Sequence, residues 1–313
     1  MWTDTTAIIT GGTGTFGHAA AKHLLEERGI KKLRILSRGE ERQRQMSLDF
    51  QSDKMTFIIG DVRDLERLKL AFRGVDLVYH AAALKQIPSC EYNPFETVQT
   101  NVIGTENVLR AALDCKVKKV IVISSDKAPS PANLYGATKM CAERIAIAAN
   151  AYTSGLSPRP IFSVVRYGNV AGSTGSVVSV FRKQFAEQGQ VFLTDERMTR
   201  FWWTAKQAVA WTSSVAEIME PGCLYVPLIP SVKIIDIARY IAGNRIAIVG
   251  MRNGEKIHET MLTEDEMSKA EPRNGMYVIR PDAKEWTVRV SYNSRDNSNW
   301  LSGEEAVKLA EVE

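Results

Sequence analysis

Apolar residues in the first half of the chain come in short unbroken runs, and the stretches between them are patterned for helices. Residues 6–29, "TAIITGGTGTFGHAAAKHLLEERG", read as an apolar strand, a glycine-rich turn and an alanine-rich helix. Further strands are expected in "KLRILSRGEE" (32–41), "MTFIIGDVRD" (55–64), "VDLVYHAAALK" (75–85), "KKVIVISSDK" (118–127) and "IFSVVRYGNV" (161–170). Helices are expected over 94–113 and 134–152. Unbroken apolar strands are buried on both faces, and strands that alternate with helices build parallel sheets. The pattern predicts an α/β fold with a doubly wound parallel sheet.

After about residue 170 the rhythm changes. Short strands and turns, as in "FLTDERMTRFWW" and "CLYVPLIPS", mix with helices over 204–219 and 233–242. The segment "AIVGMRNGEKIHETMLTEDE" (247–266) reads as a strand, a loop and a helix. The expected division is a cofactor-binding domain over 1–170, to which later segments return, and a smaller substrate lobe formed mainly by 171–313. Internal repeats, low-complexity tracts and flexible linkers are absent from the sequence.

The first turn carries Gly11-x-x-Gly14-x-x-Gly17 between a strand and a helix. Glycines there let the backbone turn tightly and approach a pyrophosphate, and the helix N-terminus offers N–H groups and a partial positive charge. Gly11, Thr13, Gly14, Thr15, Phe16 and Gly17 are therefore assigned to a dinucleotide, and the sheet to the Rossmann fold. The second strand ends in Ser37 and Arg38, where an NAD site usually has an acid. A hydroxyl and a guanidinium suit a 2′-phosphate, so NADP is expected. Asp61 and Val62, ending the third strand, are placed beside the adenine, and Ala81, Ala82 and Ala83 beside the adjacent ribose.

Tyr135 and Lys139 are spaced YxxxK, one turn apart on one helix face. A phenol ordinarily titrates near ~10, and a nearby ammonium and a nicotinamide cation would lower it toward neutrality. Asp126 and Lys127 end the preceding strand and supply a second acid/base couple. Such a couple suits an elimination, in which a base takes a proton and an acid helps a hydroxyl leave as water. Lys127 acting as base must be neutral, and taking a lysine from ~10.4 to about 7 requires ~4–5 kcal/mol. Burial and the neighbouring Lys85 and Lys139 are expected to supply part of it. Pro129 and Pro131 stiffen the intervening loop.

Composition adds exclusions. Lys and Arg number 40 against 36 acids, for a net charge of +4, and the signs are interspersed, so nucleic acid is not an expected partner. "RGEERQR" (38–44) reads as a solvated helix face unless it does local work. The four cysteines, Cys90, Cys115, Cys141 and Cys223, stand far apart with no zinc-like spacing. Disulfides and metal are not expected, and a reducing cytoplasm is. No apolar run reaches ~18 residues, so neither a membrane span nor a signal peptide is expected.

The glycine motif, the strand-end serine and YxxxK together resemble the short-chain dehydrogenase/reductase superfamily in its extended form. That resemblance implies hydride transfer at a sugar carbinol, with Ser125 orienting the hydroxyl. "SDKAPSPANLYGATK", "HAAALKQIPSCEYNP", "VVRYGNVAGSTGSVV", "TDERMTRFWW", "GMRNGEKIHE" and "YNSRDNSNWLSGEE" resemble the soluble UDP-N-acetylglucosamine 4,6-dehydratases that invert C5 and serve surface-glycan pathways. The resemblance implies Lys127 as the catalytic lysine with Asp126 beside it, and Lys85 as a substrate-cleft lysine. It places the UDP-sugar against Asn169, Val170, Ala171, Gly172, Ser173, Thr174, Val177 and Thr194, and the nucleotide against Arg252 and Glu255. Membrane-anchored relatives replace the tyrosine of YxxxK; Tyr135 is present here. Two departures stand out: Thr174 where the family usually has arginine, and Ser125 for its threonine. Relatives form dimers or hexamers, which implies a homo-oligomer.

Other residues keep two readings. Arg200 either meets a substrate phosphate or pairs with Asp195. His80 and His258 read as packing or capping residues, and Trp202, Trp203 and Trp211 as core or subunit-contact aromatics. Two further functions remain open, a UDP-sugar 4-epimerase and a non-catalytic NADP-binding sensor or scaffold. An epimerase needs no base at C5, and a sensor has no use for Tyr135 and Lys139.

Overall fold

In the computed structural model, residues 2–172, 175–284 and 289–311 are described. The strands in chain order are β1 Thr6–Thr10, β2 Lys32–Ser37, β3 Met55–Ile59, β4 Leu77–His80, β5 Lys119–Ile123, β6 Ile161–Val165, β7 Asn169–Val170, β8 Val191–Leu193, β9 Thr199–Trp203, β10 Leu224–Pro227, β11 Ser231–Lys233, β12 Ile246–Ile248, β13 Thr260–Leu262, β14 Glu271–Arg273, β15 Met276–Ile279, β16 Tyr292–Asn293 and β17 Trp300–Leu301. Nine of them form one sheet in the order β14-β15-β10-β6-β5-β4-β1-β2-β3. Strands β3 to β10 along that order are parallel, and β15 and β14 finish the edge antiparallel. Ile9 of β1 pairs with Ile35 on one side and Tyr79 on the other. The strand order reverses there, and in such sheets the ligand crevice opens at the carboxyl ends beside that switch.

The apolar runs were expected to be buried on both faces; those in the middle of the sheet are, whereas β3 at its edge leaves Ile59 half exposed. Ala7, Ile8, Ile9, Leu33, Ile35, Val120, Ile121 and Val122 have no exposed surface. Helices cover them: α1 Thr15–Lys22, α2 Glu40–Phe50, α3 Leu65–Phe72, α4 Ile87–Tyr92, α5 Pro94–Val98, α6 Gly104–Asp114 and α7 Leu134–Ala148. The helix expected over 94–113 is interrupted by a π-turn at Gln99–Ile103. At its end Gly104 comes so close to Val62 that a Cβ would lie 2.6 Å from the valine methyl. The helix expected over 134–152 ends at Ala148 and tightens into a 3₁₀ turn, Ala149–Thr153.

The later chain divides between two places. Strands β10, β14 and β15 return to the main sheet, and α9 Ala205–Ile218 packs on α1. Strands β17, β11, β9 and β7 form a second sheet. With α8 Val177–Gln188, α10 Ile234–Ala242 and α12 Gly303–Glu311 it encloses a separate core around Trp202, Phe181 and Ile237. Because β7 belongs to this second sheet, the smaller lobe begins at Asn169. The segment 247–266, read as a strand, a loop and a helix, holds β12 and the loop, but β13, paired with β16, comes before the short α11 Glu264–Met267. Thr263 and Glu266 cap that turn reciprocally, which shortens the helical part to a single turn.

Candidate active site

The crevice at the carboxyl ends of β1, β4 and β5 is a cleft of about 1180 Å³ that continues between the main sheet and the second lobe. One end is built from backbone. Gly11 has φ +67, and a Cβ there would lie 2.7 Å from the Ala82 Cα. A Cβ on Gly17 would lie 2.0 Å from the Gly12 carbonyl oxygen. Both positions are thus closed to any larger residue, and α1 begins hard against the turn. Its N-cap, Gly14, makes no side-chain cap hydrogen bond, so the first-turn N–H groups face the cleft available to an anion. Thr13, Thr15, Phe16, Ala81, Ala82 and Ala83 line this end; Gly17 does not, and serves by close packing.

Ser37 and Arg38 lie at the far side of the same end with Asp61 and Val62. The Ser37 hydroxyl accepts from Gln43 Nε2 at 3.0 Å, which leaves its own proton to donate. Arg38 is 55% exposed and its Nη1 stands 3.8 Å from Asp61 Oδ2. Burial raises the Asp61 carboxyl, but hydrogen bonds from Arg63 outweigh it and hold the group below the usual range. Arg42, from the segment read as a solvated face, also lines the cleft. Donors for phosphate and for ribose are both present, so the residues fit a dinucleotide.

The other end is built from side chains. Asn133 caps α7 through the Gly136 N–H at 2.8 Å. A Cβ on Gly136 would lie 2.2 Å from the Lys127 carbonyl oxygen, so that glycine lets the helix bearing Tyr135 and Lys139 press on the strand end bearing Asp126 and Lys127. Tyr135 lines the cleft beside Ser125, and Ser125 Oγ donates to Asp126 Oδ1 at 3.0 Å. Lys127 Nζ donates to Asp126 Oδ1 at 2.9 Å and lies 3.1 Å from Glu259 Oε1. Lys127 is 18% exposed, Asp126 1% and Glu259 3%, so water screens these charges little.

This arrangement corrects two expectations about protonation. Burial pulls the Lys127 amine down, but Asp126 and then Glu259 outweigh it, so the group is held above its ordinary value and rests charged. The lysines expected to lower it are outmatched by two carboxylates. Tyr135 also lies above its ordinary value, because burial outweighs the Lys127 charge and the Ser125 hydrogen bond. Burial brings Lys139 down to about 8, with Glu143 opposing. Lys85 is lowered by burial and then by Lys127.

Behind the strand end sits a buried bracket. Arg166 donates through Nε to Glu143 Oε1 at 2.9 Å and through Nη1 to Glu266 Oε2 at 2.8 Å. Ser124 Oγ donates to the same Glu143 oxygen at 2.5 Å. The bracket joins the end of β6, the middle of α7 and α11.

Of the residues assigned to the sugar nucleotide, Lys85, Asn169, Val170, Val177, Thr194, Arg200, Arg252 and Glu255 line the cleft. Ala171 does not: it is fully buried in the smaller core, its N–H donating to the Trp203 carbonyl at 2.8 Å. Gly172 is exposed, at φ +70, and is not part of the cleft wall. Ser173 and Thr174 lie outside the described residues. Arg200 does not pair with Asp195, whose partner is Arg197 at 2.7 Å. Its guanidinium donates to the carbonyls of Thr199, Ile257 and Lys256, and its Nε lies 3.8 Å from Glu259. His80 is buried between Thr10 and Thr105, and burial drives it down to about 3. Trp202 donates to the Ala306 carbonyl at 3.1 Å inside the smaller core. No cluster of His, Cys, Asp and Glu suited to a metal occurs among the described residues.

Sequence reasoning passed over Glu259, Lys256 and Arg42. Glu259 stands in "GEKIHE", a segment noticed for Arg252 and Glu255, but its partner Lys127 is remote in sequence and no local spacing connects them.

Residues 7–281 match the family described as polysaccharide biosynthesis protein. The chain is 41% identical over 329 aligned positions, covering 99% of it and 98% of the relative, to the UDP-N-acetylglucosamine 4,6-dehydratase (inverting) of Campylobacter jejuni. It is 40% identical, over 91% of its length and 85% of the relative, to a protein of Rickettsia bellii named UDP-glucose 4-epimerase. Among solved structures, Pen from Bacillus thuringiensis superposes with a TM-score of 0.89 at 38% identity, over 98% of this chain and 96% of that one. The dTDP-glucose 4,6-dehydratase DesIV of Streptomyces venezuelae, solved with NAD, shares the fold at a TM-score of 0.72 and 20% identity, over 81% of this chain and 87% of that one.

Proposed function

The chain belongs to the polysaccharide biosynthesis protein family, and on that premise we propose that it dehydrates UDP-N-acetylglucosamine to the 6-deoxy-4-keto sugar with inversion at C5. The observation that carries this reading is the Asp126–Lys127 couple in the same cleft as Tyr135 and Lys139. When bound, a nicotinamide cofactor takes hydride from C4 and returns it at C6. Tyr135 takes the proton of the 4-hydroxyl as a phenolate, which the Lys139 ammonium and the positive charge of a bound nicotinamide would favour against burial, with Ser125 orienting that hydroxyl and Lys139 holding the ribose. Lys127 takes the C5 proton, which the 4-keto group acidifies, Asp126 gives a proton to the 6-hydroxyl as it departs as water, and once hydride is on C6 a solvent-exchanged proton returns to C5 from the opposite face, which inverts that centre.

The resting ion pair is one proton shift from this working state. If Lys127 passes a proton to Asp126 across 2.9 Å, an ammonium and a carboxylate become a neutral amine and a carboxylic acid. Exclusion of water by substrate favours the neutral pair, because charged groups lose more solvation than neutral ones. The base and the acid thus arise together.

We assign the cofactor as NADP, supported by Ser37, Arg38 and Arg42 around the position of the adenosine ribose. The smaller lobe, with Lys85, Asn169, Thr194, Arg252 and Glu255, is assigned to the UDP-sugar. Tyr92 and Phe95, 88% and 84% exposed on α4 and α5, support self-association as a dimer or hexamer. The four cysteines are free and no helix among the described residues is long and apolar enough to cross a membrane; the free thiols support a cytoplasmic setting.

The test is incubation with UDP-N-acetylglucosamine and NADP in deuterated water, followed by NMR. A 6-deoxy-4-keto product of L-arabino configuration with deuterium at C5 is expected. A C4 epimer without deuterium at C5 would replace this reading by that of the epimerase named for the Rickettsia relative.

A further inference from the structure

We propose that Glu259 is a positioning residue of the acid/base couple, anchoring Lys127 Nζ and setting how readily that amine gives up its proton. This deepens the proposed dehydration and rests on it. Lys127 is held from two sides, by Asp126 Oδ1 at 2.9 Å and by Glu259 Oε1 at 3.1 Å. Once a proton passes to Asp126, that side of the clamp is neutral. Glu259 then remains as the charged acceptor that fixes the amine.

The placement of Glu259 is built into the backbone. Its N–H donates to Ser294 Oγ at 2.9 Å, and its carbonyl accepts from the Ser294 N–H at 2.8 Å. The residues just before it are latched onto the catalytic loop. Lys256 Nζ donates to the Pro129 carbonyl at 3.1 Å, and Asn133 Nδ2 donates to the Gly254 carbonyl at 2.8 Å. Arg200 grips the same segment through the carbonyls of Lys256 and Ile257, each at 2.9 Å. A surface acid that met Lys127 by accident would not be fixed at so many points.

Two buried oxygens show where the clamp is unfinished. Asp126 Oδ2 and Glu259 Oε2 have no hydrogen-bond partner among the described residues. Leaving buried carboxylate oxygens unpaired is costly.

The groups facing Lys127 are Asp126 and Glu259 with negative charge, Arg200, Lys85 and Lys256 with positive charge, and the Tyr135 phenol. Removing the Glu259 charge tips this balance toward the neutral amine. The variant Glu259→Gln, in the full chain with NADP and UDP-N-acetylglucosamine, is expected to shift the rising limb of kcat against pH to lower pH by about one unit or more, with a lower plateau. Glu259→Asp keeps the charge but withdraws it by one methylene, and its limb is expected between the other two. The titration of Lys127, read by NMR of protein carrying ¹³Cε-lysine and assigned with Lys127→Arg, is expected to move in the same direction without substrate. A merely structural glutamate would change the plateau or the stability and leave limb and titration in place. Superimposed limbs and an unmoved Lys127 resonance in both variants would overturn the inference. Absence of dehydration in the parent protein would instead overturn the proposed function, while the NMR titration would still report on Glu259.

Discussion

The two ends of the cleft are made of different material. At the cofactor end, main-chain groups meet main-chain groups: Gly11 against Ala82, Gly17 against Gly12, a helix start with its N–H groups free. At the sugar end, Asp126 just after β5 and Glu259 from the segment before β13 converge on the Lys127 ammonium, with Arg200 of β9 behind Glu259. The difference teaches where specificity resides. A backbone cradle recognises any diphosphate that fits, whereas a cluster of charges selects one proton-transfer chemistry. One end tolerates no added atom, and the other tolerates no altered charge.

Altering the side-chain end without touching the cradle tests this division most strongly. Lys127→Ala is expected to lower the dehydration rate by about 10²–10⁴-fold while NADP binding, followed by fluorescence titration, stays at the parent value. Loss of NADP binding in that variant would show that the ends are not separable. Next in size is an added methyl in the cradle. Gly17→Ala places a Cβ 2.0 Å from the Gly12 oxygen, and is expected to lower folding stability by about 1–3 kcal/mol in denaturant unfolding and to weaken cofactor binding. The smallest effect sharpens the comparison within the cofactor end, where one charge does sit on the cradle's rim. Arg38→Ala is expected to weaken NADP about tenfold and leave NAD nearly unchanged, a modest loss because the guanidinium is 55% exposed. Equal losses for both nucleotides would remove Arg38 from 2′-phosphate recognition.

The same contrast explains what could be read before the structure. Strands β1 to β6 were legible because an unbroken apolar run has one use in a doubly wound sheet. The glycine turn was legible because its pattern is local: three glycines stand within seven residues, with Gly17 answering to Gly12 in the same turn, although Gly11 answers to Ala82 just after β4. Tyr135, Lys139, Asp126 and Lys127 were visible for the same reason, lying within one strand–loop–helix unit. Glu259 was not, since its meaning comes from Lys127 across a long sequence separation. The resting charge of Lys127 was misjudged for the same cause: Lys85 and Lys139 were in view, and the second carboxylate was not. Ala171 was placed on the cleft because it sits in a run of candidate contacts, yet the pairing of β7 with β9 turns it into the smaller core. Strand β13 was missed between the loop and the helix read in 247–266 because its partner β16 is distant in sequence, a pairing that no local propensity encodes.

The seating of β10 beside β6 has a consequence for any attempt to divide the molecule. A cut after residue 170 would leave the backbone groups of β6 open along one side of the sheet, and would strip α9 from α1. An isolated cofactor half would therefore carry a bare strand edge and an uncovered apolar helix face, both prone to aggregate. Shuffling this fold by exchanging its halves is barred by that weave, so new sugar preferences have to arise residue by residue along the lining of the second lobe.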